Sequence, residues 1–254
     1  MTLAFIPARM AATRFPGKPL ALLAGRPVIE HVYHAVRAAA GIDRVCVATD
    51  DARIAATVAG FGGEAVMTRA DHPSGTDRIL EAVQLTDPGA VATLIVNVQG
   101  DEPLVQPVDI ARCVAALRDD HEADWATLVY PLANDAEAAN PNLVKVVCDR
   151  AGHALYFSRA AIPFDRDRQG VAARFGHCGL YVYRAAALRR FAATAPTPLE
   201  QSEKLEQLRA LETGLRILCV RIERAYPGID TPEDLTRTEA LLAAHPELCN
   251  LSTT

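Results

Sequence analysis

No run of about 18 or more apolar residues occurs in the chain, so nothing in it is long enough for a membrane-spanning helix. The first residues lack the basic and apolar segments of a secretory signal, and a soluble, cytoplasmic protein is expected. Cysteine pairing is missing too. Cys46, Cys113, Cys148, Cys178, Cys219 and Cys249 form no C-x-x-C pair and most lie in apolar runs, which reads as reduced core residues rather than disulfides or a zinc site. Two phosphate-binding signatures fail: Ala12 stands where the Walker motif needs its first glycine and Pro19 follows its lysine, and no G-x-G-x-x-G follows the first apolar run. Repeats, low-complexity tracts and long linkers are absent, and the tail after about His245 reads as peripheral. A formal charge of -5 argues against a general nucleic-acid or membrane-surface binder. Any anionic ligand would need a local basic pocket.

Such a pocket is offered by the loop Ala8 to Pro19, which carries Arg9, Arg14 and Lys18 between the apolar run Leu3-Ala-Phe-Ile-Pro7 and a helical pattern. Guanidinium groups clamp phosphate oxygens in pairs and lysine adds a movable point charge. Gly17 allows close backbone approach, while Pro16 and Pro19 stiffen the loop. Solvated surface cations are the competing reading of this stretch taken alone.

At 254 residues, half of them hydrophobic, the chain can bury a full core as one large domain or one domain with an elaboration. Strands are predicted near 3–7, 44–49, 64–67 and 92–98, alternating with helices that carry Val28, Ile29, Val32 and Val36, then Ile54, Val58 and Phe61, then Ile79, Leu80 and Val83. Asp50 and Asp51 are read as the capping residues of the second helix. This alternation implies a parallel sheet with right-handed crossovers. In the usual 3-2-1-4 order the first and fourth strands are neighbours at the switch point, which sets the basic loop beside Gln99-Gly-Asp-Glu-Pro103. Asp101 facing those cations suits phosphate with a divalent metal, although a turn or cap would also explain an aspartate there.

After a helix from about Val108 to Leu117 and a strand over 125–129, the pattern changes. Residues 143–148 and 153–157 read as an antiparallel hairpin around Asp149-Arg-Ala-Gly152, followed by a strand over 176–183. Mixed strand direction suggests an added lobe for a second substrate. His177 and Tyr181, four apart, would share one face of that strand, as site or as core. Helices are predicted over 185–192 and 200–212, with Glu203 and Glu206 on the charged face of the second, and a last strand over 215–220. Thr231 and Asp234 form a capping-box-like pair with Pro232 at the first turn, leaving Asp230 outside the cap and free to point elsewhere.

These segments together resemble the 3-deoxy-D-manno-octulosonate (Kdo) cytidylyltransferases. The likeness runs through Ile6-Pro-Ala-Arg9, Thr13-Arg-Phe-Pro-Gly-Lys-Pro-Leu20, Val47-Ala-Thr-Asp50, Met67 to Arg78, Asn97-Val-Gln-Gly-Asp-Glu-Pro103, Asn140 to Val147, Ala154 to Arg159 and Gly228-Ile-Asp-Thr-Pro-Glu-Asp-Leu235. It implies an α/β, three-layer nucleotide-diphospho-sugar transferase-like (Rossmann-like) fold with a mixed, mostly parallel sheet and an antiparallel hairpin lobe. It further implies a single domain, with a nucleotide-binding half over about 1–130, a sugar-binding and dimerisation lobe over about 131–227, and a return to the core at 228–245. The implied reaction is CTP plus Kdo giving CMP-Kdo and pyrophosphate, with Mg²⁺, for lipopolysaccharide synthesis, in a homodimer. Carried over by motif, Arg9, Arg14 and Lys18 grip the triphosphate, and Arg78 and Gln99 place nucleotide or sugar. Asp101 and Asp230 bind Mg²⁺, Arg159 takes the sugar carboxylate, and His177, Tyr181 and Glu206 line the sugar pocket; Arg9, Lys18, Asp101 and Asp230 form the catalytic set.

Two departures stand out: the segment from Arg168 to Phe175 is short, and Phe15 replaces a frequent leucine. Rival readings fit less well. Sialic-acid cytidylyltransferases carry a different first loop, hexose-1-phosphate enzymes a G-x-G-T-R-type loop, and metal-dependent glycosyltransferases usually a D-x-D element, where Gln99-Gly-Asp101 offers one aspartate. An amino analogue such as 8-amino-Kdo fits the same motifs, and a non-catalytic sugar-nucleotide binding protein would bind CTP without releasing pyrophosphate.

Overall fold

The N-terminal apolar run forms β1 (Thr2–Ala8), buried along nearly its whole length, because a strand covered on both faces has no polar side to present. The structure is a computed structural model and describes residues 1–11, 14–167 and 169–249. After β1 come a 3-10 turn at Lys18–Leu20 and a small antiparallel ladder of β2 (Leu22–Leu23) and β3 (Arg26–Pro27). The chain continues through α1 (Val28–Ala38), β4 (Arg44–Thr49), α2 (Ala52–Gly60), β5 (Ala65–Met67), α3 (Gly75–Thr86), β6 (Leu94–Asn97) and α4 (Pro107–Asp119). Helix α1 buries Val28, Ile29, Val32 and Val36, the stripe read from its sequence.

The residues cluster into two compact units, Met1–Ala111 with Tyr226–Thr254, and Arg112–Ala225. In the first, the strands run β5-β4-β1-β6, every pair parallel, which is the expected 3-2-1-4 order. Phe5 pairs with Asn97, so the segments after β1 and β6 leave the sheet at one end, side by side. Gly100 is required there: a Cβ at this position would lie 2.9 Å from the Pro7 carbonyl oxygen, a backbone atom that cannot swing aside. Gly100→Ala is expected to cost about 1–3 kcal/mol and to displace Asp101. Paired denaturation and turnover measurements check this, and wild-type values in both would contradict it.

The second unit holds β7 (Trp125–Pro131), α5 (Asp135–Ala139), β8 (Lys145–Cys148), β9 (Ala154–Ser158), β10 (Phe175–Arg184), α6 (Ala185–Ala192), α7 (Pro198–Glu203), α8 (Glu206–Glu212) and β11 (Ile217–Arg221). Strand β11 runs parallel to β7, while β7, β10, β8 and β9 pair successively antiparallel. The expected hairpin is β8–β9. The single helix expected over 200–212 is broken, because Lys204 adopts φ 56°, ψ 48°, a left-handed conformation that ends α7 before α8 begins.

Past Tyr226 the chain rejoins the first unit, where the Ile229 amide donates to the Asp101 carbonyl at 2.8 Å. Helix α9 (Pro232–Ala244) follows, closed by the Thr231–Asp234 capping box with Pro232 in its first turn, as its sequence indicates. No helix among the described residues is long and apolar enough to cross a membrane.

Candidate active site

Gly17 takes φ 77° and donates its amide to the Met10 carbonyl at 3.0 Å, a left-handed turn that folds the basic loop back on itself and starts the Lys18–Leu20 turn. Lys18 thereby reaches the end of the sheet, where its ammonium donates to Asp101 Oδ2 at 2.6 Å and to Asp230 Oδ1 at 3.2 Å. Arg14 donates to the other oxygen of Asp230, Oδ2, at 2.9 Å. The main-chain bond between Ile229 and Asp101 is what holds the two carboxylates at one address. They surround a cavity of about 330 Å³ that Arg9, Arg78, Gln99 and Gly100 also line. Four basic side chains against two carboxylates leave this cavity positive inside a chain that is negative overall.

The other predicted residues of this unit fall into place with different duties. Arg78 is buried and donates to Thr68 Oγ1 at 2.6 Å, with Asp50 Oδ1 3.4 Å away. Asp50 is therefore not a helix cap. Only Asp51 caps α2, accepting from the Arg53 amide at 2.9 Å, and the buried Asp50 Oδ1 is compensated by the guanidinium of Arg78. Gln99 lies on the cavity wall with its amide 3.4 Å from Asn97 Oδ1. Ser74 and Gly75, which carried no role in the sequence reading, bring the N-terminus of α3 to the wall, and the positive end of a helix attracts anions. The cap signature Ser74-x-x-Asp77 was their available signal.

In the second unit the rings of His177 and Tyr181 meet at 5.4 Å between centroids, and Phe157 packs edge-on to His177 at 5.1 Å. Burial pushes the Tyr181 hydroxyl well above its ordinary pKa, with the charges of Tyr183 and then Glu206 adding to the rise. Arg159 has two of its five N–H groups committed, Nε to the Glu203 carbonyl at 2.8 Å and one terminal nitrogen to the Pro141 carbonyl at 3.0 Å. Glu203 is not part of a solvated face. Burial works against its charge, but Ser158 Oγ at 2.6 Å and the Arg159 amide at 2.9 Å hold its pKa below the usual carboxylate range. Lys145, also missed, is fully buried and donates to the carbonyls of Asn140 and Leu143, each at 2.7 Å, and to that of Arg159. An ammonium spent on main-chain carbonyls has no pattern in sequence. Of the Arg168 to Phe175 segment, Arg168 lies outside the described residues.

Burial lowers the His177 pKa from 6.5 to about 3. The unfolded state therefore takes up more protons between those values, so this contribution to stability is complete above pH 6.5, shrinks as pH falls, and is lost below about 3. Melting curves between pH 7 and about 4 should show the wild type losing stability more steeply than His177→Gln. Parallel slopes would contradict it.

A cation-lined cavity at the carboxyl end of parallel strands, with two carboxylates sharing one ammonium, is where an open α/β sheet binds its ligand and suits a phosphorylated one, as in the nucleotidyltransferase class that the likenesses of this chain show. The family model described as Cytidylyltransferase matches residues 3–217. The 3-deoxy-manno-octulosonate cytidylyltransferase of Syntrophotalea carbinolica is 54% identical over 247 residues, covering 94% of this chain and 97% of that protein. That of Myxococcus xanthus is 51% identical over 243 residues, covering 96% and 97%. A solved structure of CMP:2-keto-3-deoxy-manno-octonic acid synthetase complexed with CTP superposes with a TM-score of 0.91 at 41% identity, covering 96% of this chain and 98% of that one. The 4-diphosphocytidyl-2C-methyl-D-erythritol synthase of Anaerococcus prevotii, at 16% identity and TM-score 0.63 over 95% and 98% of the two chains, shares the fold. The chain belongs to the 3-deoxy-manno-octulosonate cytidylyltransferase family of cytidylyltransferases.

Proposed function

We propose that this chain transfers the cytidylyl group of CTP to Kdo, releasing pyrophosphate and forming CMP-Kdo for lipopolysaccharide synthesis, and that it does so with Mg²⁺. The observation that carries the metal and phosphate reading is the Lys18 ammonium held between Asp101 and Asp230 beside Arg9, Arg14 and Arg78. Two carboxylates within reach of one ammonium are within reach of one cation. Mg²⁺ is usually held by one or two carboxylates plus substrate phosphates, and no group of three or more His, Cys, Asp or Glu side chains is gathered as a metal site among the described residues. The donor set thus fits Mg²⁺, held by Asp101 and Asp230. When bound, the ion would neutralise charge on the triphosphate and lower the pKa of a coordinated hydroxyl.

The chain's own residues supply the remainder. Arg9 and Arg14 orient the triphosphate, and Lys18 exchanges its carboxylate partners for phosphoryl oxygens as charge builds on them and on the leaving pyrophosphate. The α3 N-terminus adds fixed positive potential at the same cavity. Arg78, buried and rigid, and Gln99 shape the wall against nucleotide or sugar. Arg159, through the N–H groups it has not committed, takes the sugar carboxylate, while His177, Tyr181 and Glu206 face the sugar hydroxyls.

We place the protein in the cytoplasm, a compartment that agrees with its six free cysteines. We also propose a homodimer; Phe164 and Val171, 87% and 84% exposed, leave apolar surface that a second copy would cover. Sedimentation at micromolar concentration tests the dimer. The reaction itself is tested by pyrophosphate release from CTP and Mg²⁺ with Kdo, 8-amino-Kdo, sialic acid or no sugar. Release with Kdo is expected; release with the amino sugar alone would keep the chemistry and move the specificity, and no release with any sugar would overturn it.

A further inference from the structure

His177 and Tyr181 could not touch on a regular strand, where four residues span about 13 Å. Their rings nevertheless meet at 5.4 Å. The cause is a bulge in β10: Cys178 pairs with Leu128 and Tyr181 with the next residue, Thr127, so Gly179 and Leu180 are two extra residues on β10. Thr127 sits at the base of this bulge, fully buried. Its hydroxyl lies 2.7 Å from the Leu180 carbonyl oxygen, 3.1 Å from that of Cys178 and 2.9 Å from His177 Nε2.

One hydroxyl has one proton. Carbonyl oxygens only accept, so if that proton went to His177, the lone pairs of Thr127 Oγ1 would face two carbonyl oxygens at close range. The proton therefore goes to the bulge carbonyls, and the oxygen accepts from His177. The imidazole must then carry its hydrogen on Nε2, which leaves Nδ1 an acceptor. Burial keeps this ring neutral over the working pH range, so its tautomer is the variable that matters.

We propose that Thr127 is a positioning residue for the sugar site: its hydroxyl locks the β10 bulge that brings His177 to Tyr181 and fixes the Nε2–H tautomer. Nδ1 then accepts a hydrogen bond from a hydroxyl of the polyol substrate. The inference rests on reading His177, Tyr181 and Glu206 as the sugar pocket.

The tautomer is read directly by ¹⁵N NMR of His177 in the wild-type enzyme, where one protonated Nε2 and one unprotonated Nδ1 are expected; an Nδ1–H tautomer or an even mixture would overturn the proposal. Thr127→Val keeps the shape and removes the hydroxyl. It should abolish the single-tautomer signature and raise the KM for Kdo about tenfold, with the KM for CTP within about twofold, and Thr127→Ser should restore both signature and KM. A Thr127→Val enzyme with wild-type signature or wild-type Kdo KM contradicts it, as does failure of Thr127→Ser to restore them. His177→Gln separates the two levels: if it raises the Kdo KM while Thr127→Val does not, only the role of Thr127 fails. If both leave the Kdo KM unchanged, the pocket reading falls and takes the proposal with it. Should Thr127→Val not fold, the wild-type tautomer and Thr127→Ser still decide.

Discussion

Asp101→Ala and Asp230→Ala will each abolish Mg²⁺-dependent pyrophosphate release, lowering kcat/KM by on the order of 10³ or more, with the fold retained. On the proposed Mg²⁺ role the loss should be this large because each residue would supply half of a two-carboxylate site, and one half would leave the metal with a single protein ligand. Stability should change little. The side chains of Asp101 and Asp230 are 32% and 47% exposed, and ion pairs open to solvent contribute only about 0–1 kcal/mol each, so losing the contact to Lys18, or for Asp230 those to Lys18 and Arg14, is close to neutral. Positioning of the pair by the Ile229 amide and Asp101 carbonyl is a main-chain bond and survives both substitutions. The check is pyrophosphate release across a Mg²⁺ titration, alongside thermal unfolding. Full turnover in either variant would sink the metal assignment, and unfolding of either would show that the pair holds the fold instead.

Lys18→Ala should have the second largest effect, with a signature of its own. Its ammonium, 12% exposed, is the charge these two carboxylates share. Once it is removed, two carboxylates face each other without their common partner, and a divalent cation no longer competes with an ammonium for them. Mg²⁺ should bind the substrate-free variant more tightly, by a few-fold to about tenfold at the strength of charge-assisted contacts. Turnover should move the opposite way. On the proposed role Lys18 meets the triphosphate as charge develops on it, so kcat should fall by on the order of 10² to 10³, while the KM for Kdo changes little. Mg²⁺ binding by calorimetry and steady-state kinetics read the two effects separately. Unchanged kcat would remove Lys18 from the transition state; unchanged metal affinity would mean that its contacts to Asp101 and Asp230 do not oppose metal binding.

The order of the first four strands was legible because parallel strands buried on both faces read as apolar runs alternating with amphipathic helices, and chain connections favour neighbours. The capping pair at Thr231 and Asp234 was legible because a cap is a local matter of three residues. From the same local pattern came the freedom of Asp230, which the structure uses at Lys18, 212 residues away in sequence. Harder to see were contacts made to the main chain. Glu203 sits among helix charges in sequence, yet holds Ser158 and the Arg159 amide, and Lys145 grips three carbonyls. Every residue carries an amide and a carbonyl, so nothing in the pattern says which of them a side chain will meet.

The sequence by itself determined the alternation of strands and helices, and with the usual doubly wound strand order it set the basic loop beside Asp101 at the switch point. Periodicity, caps and chain connectivity are local or nearly local properties, and they are written residue by residue. Only the tertiary structure decided that Asp101 and Asp230 share one ammonium, that Lys204 breaks a helix, and that two extra residues in β10 press His177 against Tyr181 under the hydroxyl of Thr127. Those outcomes depend on where distant backbones come to rest within each unit, and no spacing along the chain encodes that distance.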